Sequence, residues 1–506
     1  MDKIKNKLTA ASPALLFALM LLQPVLDVIS YWANRGSFTS VTTALRFVML
    51  VLVVAASFVI SNNKKRTIIA YGVIALFFVI HAIGCFREGG YSLVSDAANF
   101  LRIAQLPIFT FCFIDVFEAC PDVKKKLPLA FFVILLIIIA VLVLSFIVGR
   151  PEYTYNEYDK INDTTLHFGF QGWFEVGNCQ SAIIVLIVPM ILFFAFNTKS
   201  ELFFVLCSVL CFANLYLFGT RFCYYSIFII CLAFIVSMAL SRQKRIIPYA
   251  VLGAVMVVGV LLYSHSFMYK HLNIYTQEMS NRQDEINSGM NEIEDEFPDL
   301  TVEAPDLFPP ESEETGTSED PSQSEGMEAL RQAYLKIYEP YCKDMIEVYG
   351  MNRVMDVYNG TKSVLTLSDQ RLKKINFAKL AWEDCNLDCK IFGFQYKTLV
   401  HGSEVYDLEN DFQGTFYFLG YAGMALFVAF LAYFVLRTLM AIIRNPKECF
   451  TLEFCVVGVT LILIVVAAQF SGNVLRRPNV SIYFSLFLAY IYCLTGKILS
   501  GKGKDK

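Results

Sequence analysis

The chain has 506 residues, of which 56% are hydrophobic and 17% are charged, with a formal net charge of −3. A soluble protein of average composition carries about 25% charged residues. The composition therefore excludes a soluble enzyme, and we expect membrane lipids rather than a nucleic acid around this chain.

Long apolar runs predict twelve membrane-spanning helices, nine before a long polar segment and three after it. Each run has about the 20 residues that cross a hydrocarbon core of about 30 Å. Because lipid offers no hydrogen-bond partner to backbone groups, each run must be helical. The predicted fold class is thus an all-α polytopic membrane protein. The runs cover residues 10–32, 38–60, 67–85, 97–119, 127–149, 176–197, 201–218, 221–240, 247–264, 412–436, 450–470 and 478–498.

The basic residues of the short loops predict the orientation. With the N-terminus inside, twenty Lys and Arg face the cytoplasm and seven lie in the short outer loops. Cytoplasmic loops carry such an excess. We therefore expect nine helices in residues 1–264, an extracytoplasmic segment over 265–411, and three helices with a cytoplasmic tail in 412–506.

The extracytoplasmic segment divides into two parts. Residues 284–326 hold fifteen Asp and Glu, five Pro and no Lys or Arg, a composition that predicts disorder. Residues 327–411 return to helical periodicity, with Ser368 or Asp369 as a cap of one amphipathic helix. Of fourteen cysteines only three, Cys342, Cys385 and Cys389, belong to this segment, so a disulfide framework is not expected.

Three arginines lie at one depth of the predicted bundle, in its outer half. Arg46 and Arg102 interrupt apolar runs, and Arg221 begins one. A central arginine costs about 2.5–3.5 kcal/mol on insertion scales, so it has a structural or functional reason. Asp27 and Glu175 are candidate partners across the bundle. The set either forms structural ion pairs or binds phosphate oxygens, which suit the guanidinium fork.

The junction at Glu409–Gly423, "ENDFQGTFYFLGYAG", carries a recognisable spacing. Asn410 is followed by nine residues, then Gly420, two residues and Gly423. This spacing resembles the outer-loop motif of the O-antigen ligase and O-antigen polymerase superfamily of bacterial membrane glycosyltransferases. The family has a histidine where this chain has Glu409. Further matches are the layout of spans with one late outer loop, "GTR" (219–221), "SDQRLKKINFAKLAW" ahead of "FGF", and Asn178 at the start of the sixth span.

The resemblance implies a reaction. It is the metal-independent transfer of a glycan from a polyprenyl-pyrophosphate donor to an acceptor hydroxyl, without a cofactor, on the outer face of a bacterial plasma membrane. The acceptor would be a glycan, a lipid or a wall polymer.

The same resemblance distributes roles among the candidate residues. Glu409, Asp411 or His401 would take the hydroxyl proton. The predicted pyrophosphate-binding residues are Arg46, Arg102 and Arg221, and the supporting residues are Asp27, Glu175, Asn178 and Asn410.

Alternatives remain open at the junction and for the whole chain. Glu409 and Asp411 also suit an acidic helix N-terminus, or a divalent ion, although no further ligands are apparent in the sequence. The rival functions are a polymerase of lipid-linked repeat units and a transporter or flippase of the same lipid. Transporters favour charges at several depths, whereas the charges we identified gather at one face, which favours chemistry there.

Overall fold

The computed structural model describes residues 2–36, 40–159, 164–298, 307–308, 321–402, 404–470, 472 and 474–500. Helices dominate this part of the chain, and the predicted all-α membrane fold is confirmed. Eleven of the described helices are long and apolar enough to span a membrane. The ninth predicted span, at 247–264, corresponds to a shorter helix of 16 residues, Ile246–Leu261.

Within the described part of the chain, nine helices precede the polar segment. They are α1 (Asp2–Arg35), α2 (Ser40–Ile60), α3 (Lys64–Glu88), α4 (Leu93–Ala119), α5 (Val123–Ile147), α6 (Gly177–Asn197), α7 (Glu201–Phe218), α8 (Arg221–Leu240) and α9 (Ile246–Leu261).

Among the residues described there, six helices lie in the polar segment and four follow it. They are α10 (Phe267–Glu296), α11 (Pro321–Tyr349), α12 (Met351–Val357), α13 (Val364–Leu367), α14 (Gln370–Asp384), α15 (Leu387–Phe392), α16 (Asp411–Arg444), α17 (Pro446–Cys449), α18 (Leu452–Phe470) and α19 (Pro478–Leu499). We call the end of the bundle that carries α10–α15 the loop side.

The acidic stretch 284–326, predicted to be a disordered spacer, is helical at its two described ends. Its first part, to Glu296, continues α10 as regular helix, and α11 already begins at Pro321. Residues 299–306 and 309–320, which carry much of the acidic composition, lie outside the described residues. Buried methionines at Met279 and Met290 give α10 an apolar face that composition averaged over the window concealed.

A β-hairpin on the loop side was not predicted. β1 (Tyr153–Asp159) pairs antiparallel with β2 (Thr164–Phe170), and a two-residue pair, β3 (Val400–His401) with β4 (Glu404–Val405), lies just before α16. The hairpin contacts α7 and α10. It therefore joins the membrane bundle to the polar segment.

The centre of the bundle is formed by α4, α6 and α19. Almost every residue of α6 is buried, as expected for a helix that is apolar on all sides. α19 packs along α4, and α6 contacts α5, α7, α8 and α18. Polar side chains at the loop-side ends of these helices are therefore fixed in place by a packed core.

Two glycines bring the polar segment onto α16. Gly420 has φ +66° and ψ −169°, which interrupts the helical backbone of α16. Gly393, after α15, has φ +92°, and a Cβ there would lie 2.2 Å from the carbonyl oxygen of Phe418. Only glycine tolerates both the positive φ and the backbone contact. Gly420, the first glycine of the motif, thus lies where α16 contacts the chain after α15.

Candidate functional site

A cavity of about 790 Å³ opens on the loop side between α1, α2, α4, α6 and α19. Its wall combines apolar side chains with three arginines, Arg46, Arg102 and Arg477, and two carboxylates, Asp27 and Glu175. Two of the three arginines that the sequence singled out are therefore brought together. The third arginine of the cavity, Arg477, was counted only as a loop charge.

Arg46 is held by Asp27 on the cavity wall. Its Nη2 lies 3.0 Å from Asp27 Oδ1, and Asn479 donates to Asp27 Oδ2 at 2.8 Å. Asp27 is the partner that the sequence suggested for the arginines. Glu175, the other suggested partner, accepts a hydrogen bond from Asn34 instead. Arg46 is thus largely neutralised by Asp27.

Arg102 and Arg477 are less closely paired with carboxylates than Arg46 is. Arg102 Nη1 lies 3.7 Å from Asp407 Oδ2, too far for a hydrogen bond, and its side chain is 41% exposed. The guanidinium of Arg477 has no hydrogen-bond or ion-pair partner among the described residues. Guanidinium groups in this state can bind an anion in the cavity.

Glu409 lies between two cations of α14. Arg371 Nε is 2.9 Å from its Oε2, and Lys374 Nζ is 3.0 Å from its Oε1. Asp369 caps α14 by accepting from the backbone of Arg371 and Leu372, as predicted for Ser368 or Asp369. Arg371 and Lys374 are three residues apart and therefore lie on the same face of α14. Both can thus contact Glu409 at the capped end of this helix.

The neighbours of Glu409 determine its protonation. Burial raises the pKa of this carboxyl, but the hydrogen bonds and charges of Lys374 and Arg371 outweigh burial and hold the pKa below its ordinary value. Glu409 is therefore ionised at neutral pH. The cations that lower its pKa are those of α14, not the arginines within the spans.

Asp411 is placed differently from Glu409. Its side chain is fully buried and accepts hydrogen bonds from the backbone N–H groups of Val474, Leu475 and Arg476 at 2.6, 2.9 and 3.0 Å. The buried guanidinium of Arg476 lies 3.8 Å away. With its oxygens occupied in this way, Asp411 anchors the loop between α18 and α19.

This loop connects Glu409 to the cavity. At one end, a Cβ on Gly472 would lie 2.9 Å from the Cβ of Glu409. At the other end, Arg477 lines the cavity. Five residues of chain span at most about 18 Å. The chain therefore keeps Arg477 of the cavity wall within about 18 Å of Gly472, the residue beside Glu409.

Arg221 lies outside the residues that line the cavity. Burial raises the pKa of the Tyr155 hydroxyl in β1, and the charges of Arg221 and Arg371 oppose that shift. His271 stacks on Tyr155 with ring centroids 3.9 Å apart and contacts Glu157 at 2.9 Å. Arg221, at the start of α8, therefore does not join Arg46 and Arg102 on the cavity wall.

The remaining predicted residues have mainly local contacts. His401 pairs with Glu404 in the short β3–β4 bridge, and the charged partners of Glu409 are Arg371 and Lys374 rather than this histidine. Asn410 caps α16 and donates to the carbonyl oxygen of Gln469 at 3.0 Å. Asn178 lies in the first turn of α6, where the next residue, Cys179, lines the cavity.

A second charged cluster lies at the opposite end of the bundle from the loop side. Asp115 of α4 is buried and accepts hydrogen bonds from Arg66 of α3, from Ser57 at 3.2 Å and from Ser61 at 3.0 Å. The expectation that the charges within the spans gather at one face is therefore wrong. The carboxylate of Asp115 is fully engaged in these hydrogen bonds, which is typical of a structural ion pair.

The site residues missed from sequence are Arg371, Lys374, Arg476, Arg477 and Asp407. Arg371 and Lys374 could have been found from the sequence, because basic residues three apart on a capped helix lie on one face. The others lie in loops without periodicity, where only the folded structure reveals their partners.

Together the fold and the site define a polytopic helical membrane protein with an arginine-lined cavity and a charged carboxylate cluster on one side. A family model described as O-antigen ligase like membrane protein matches residues 9–495, and the chain belongs to this family. No curated protein and no solved structure matches the chain. Membership assigns it to cell-surface glycan assembly, as an enzyme of the glycosyltransferase type.

Proposed function

We propose that the protein transfers a glycan from a polyprenyl-pyrophosphate donor to an acceptor hydroxyl. The loop side would be the outer face of a bacterial plasma membrane, with both termini in the cytoplasm, as the distribution of basic residues predicts. The observation that carries the proposal is the cavity with Arg102 and Arg477, joined by five residues of loop to the charged cluster of Glu409.

The pyrophosphate would bind in the cavity. Arg102, whose carboxylate partner Asp407 lies 3.7 Å away, and Arg477 supply guanidinium groups, and Arg46 adds donors while Asp27 fixes its position. The apolar part of the wall suits the first isoprene units, since the tail remains in lipid. Negative charge grows on the pyrophosphate as it departs, and preorganised cations stabilise that charge.

Glu409 would act as the general base. The acceptor oxygen forms a bond to the anomeric carbon, the bond from that carbon to the pyrophosphate oxygen breaks, and the electron pair leaves with the pyrophosphate. The hydroxyl proton passes to Glu409. A carboxylate base serves in the same way in inverting glycosidases, where the oxygen becomes acidic as it attacks. Arg371 and Lys374 hold the carboxylate ionised and oriented.

No metal or cofactor takes part in this proposal, and the choice between a ligase and a polymerase depends on the acceptor. A polymerase would use the same residues with a second lipid-linked glycan as the acceptor. A flippase would need the donor to cross the bundle, whereas the cavity and the cluster of Glu409 both lie on the loop side.

Lysine substitutions test the arginines of the cavity. We expect Arg102→Lys and Arg477→Lys to impair transfer and weaken donor binding, because lysine keeps the charge but loses the bidentate geometry. The measurement is transfer as a function of donor concentration with purified protein. Arg87→Lys is the matched control, since Arg87 is an exposed partner of Asp388 at 2.9 Å on the loop side.

Full activity of the Arg102→Lys, Arg477→Lys double variant would contradict this assignment. Arg221→Lys belongs in the same series. A loss as large as that of Arg477→Lys would place Arg221 in the pyrophosphate site, as the sequence predicted.

The pH dependence of transfer tests the base. Glu409 must be ionised to act, and its pKa lies below the ordinary value of 4.5 because of Lys374 and Arg371. The rate should therefore fall only at a pH below that value. In Lys374→Met one cation is lost while burial remains, so the pKa rises and the acidic limb moves to higher pH. An acidic limb that stays in place in Lys374→Met would exclude Glu409 as the titrating group.

A further inference from the structure

A histidine, a cysteine and an aspartate meet between α3 and α4, towards the loop side. His81 and Cys85 are four residues apart on α3 and therefore share one face of that helix. Asp96 lies in the first turn of α4. All three residues are buried, with at most 2% of their surface exposed. One nitrogen, sulfur or oxygen atom from each lies within 4.8 Å of the other two.

The distances among these atoms are close to those around a zinc ion. Asp96 Oδ2 lies 3.0 Å from His81 Nε2, and Cys85 Sγ lies 3.7 Å from the same nitrogen. Zinc bonds of about 2.0–2.3 Å place two tetrahedral ligand atoms about 3.3–3.6 Å apart. The nitrogen therefore already lies near ligand spacing from both the oxygen and the sulfur.

His81 is oriented as a metal-binding histidine is. Its Nδ1 lies 2.7 Å from the carbonyl oxygen of Phe392, to which it must donate, because a carbonyl oxygen only accepts. Histidines that bind a metal through one ring nitrogen usually donate from the other in this way. Nε2 then directs a lone pair at the carboxylate of Asp96 unless the ring carries a second proton. Either that proton or a cation must lie between the two groups.

We propose that His81, Cys85 and Asp96 bind one zinc ion, with a water molecule as the fourth ligand. Zinc accepts nitrogen, sulfur and oxygen ligands, whereas magnesium and calcium do not favour a thiolate. The Cys85 thiol, which now contacts the carbonyl oxygen of Gly393 at 3.6 Å, would release its proton to solvent and bind as a thiolate. The ion, a neutral imidazole, a thiolate and a carboxylate sum to zero charge, which suits a buried site.

The alternative is an ion pair without a metal, in which a doubly protonated His81 contacts Asp96. Two contacts favour the zinc ion. Cys85 Sγ lies 3.7 and 3.9 Å from the two ring nitrogens, where a thiol, as a weak donor and weak acceptor, gains little. Tyr91 donates to Asp96 Oδ2 at 3.1 Å, as the outer partners of metal-binding carboxylates do. Zinc gives all three buried side chains one common partner.

The zinc ion would fasten α3 and α4 to the chain that follows α15. Phe392, which accepts from His81, ends α15, and the next residue, Gly393, packs against the backbone of Phe418 in α16. α15 itself contacts both α3 and α16. The proposed site therefore has a structural role. It is separate from the proposed glycan transfer and takes no part in that reaction.

The test is the zinc content of the full-length protein, purified in detergent under reducing conditions without a metal-affinity tag or chelator. We expect about one zinc per chain. Cys85→Ser removes the sulfur ligand with little change in size and should lose the ion. Cys112→Ser is the matched control, because Cys112 is a buried cysteine of α4 that contacts the Tyr71 hydroxyl at 3.0 Å; it should keep the ion.

X-ray absorption at the zinc edge tests the ligands in the wild-type protein, so its result does not depend on the folding of a variant. We expect one sulfur neighbour at about 2.3 Å. Wild-type protein that carries no zinc, and takes up none when titrated with zinc chloride, would overturn the proposal and leave His81 and Asp96 as an ion pair. Zinc without a sulfur neighbour, or a full zinc content in folded Cys85→Ser, would equally exclude these ligands.

Discussion

Glu409→Gln is expected to lower the rate of glycan transfer by about 10²–10⁴, the usual loss when a general base is removed. Glutamine keeps the size of the side chain and can still accept from Arg371 and Lys374, which now contact the carboxylate at 2.9 and 3.0 Å. The variant should therefore insert and fold normally. The measurement is the initial rate of transfer, with the amount of folded protein determined in parallel.

Two further variants make this result specific. Glu404→Gln applies the same change to an exposed residue of β4 and should leave the rate unchanged. His401→Ala tests the alternative base that the sequence offered. Normal transfer by Glu409→Gln, together with loss in His401→Ala, would show that the histidine is the base.

Asp411→Asn is expected to destabilise the protein rather than to slow a correctly folded enzyme. The buried carboxylate accepts from three backbone N–H groups and lies 3.8 Å from Arg476, whose side chain is 3% exposed. In asparagine, the side-chain NH2 group would point at backbone N–H groups that also donate. The buried guanidinium of Arg476 would lose one of its carboxylate neighbours. Breaking a buried pair costs about 3–5 kcal/mol. Size-exclusion chromatography after a heating series measures the loss of folded protein.

Asp407→Asn is the matched control. Asp407 also pairs with Arg476, at 2.8 Å, but it is 17% exposed and lacks the three backbone donors, so the loss of stability should be smaller. Equal stability of Asp411→Asn and wild type would show that the loop between α18 and α19 does not depend on this anchor.

Features that repeat along the chain were predictable from the sequence. The apolar runs predicted the spans, because lipid requires internal hydrogen bonding throughout a run. The one span that differs, Ile246–Leu261, is shorter than its apolar run because the chain turns at Tyr263–His265. The cap at Asp369 was also predictable, since its signal is local.

Features that depend on distant contacts were not predictable. The roles of Glu409 and Asp411, two residues apart, are separated only by what packs against them: α14 against the first and the loop after α18 against the second. The β1–β2 hairpin was missed because two short strands in a loop give a weak pattern. The addition of Arg477 to Arg46 and Arg102 depends on how five helices pack.

The most direct test of the proposed function is the fate of the lipid-linked glycan in cells that lack the protein or carry only Glu409→Gln. We predict that the polyprenyl-pyrophosphate glycan accumulates on the outer face of the plasma membrane in both strains, where an externally added, membrane-impermeant glycosidase or lectin reaches it. Donor trapped on the inner face would contradict a transferase and indicate a flippase. Unchanged donor levels in both strains would contradict any role of this protein in consuming that lipid.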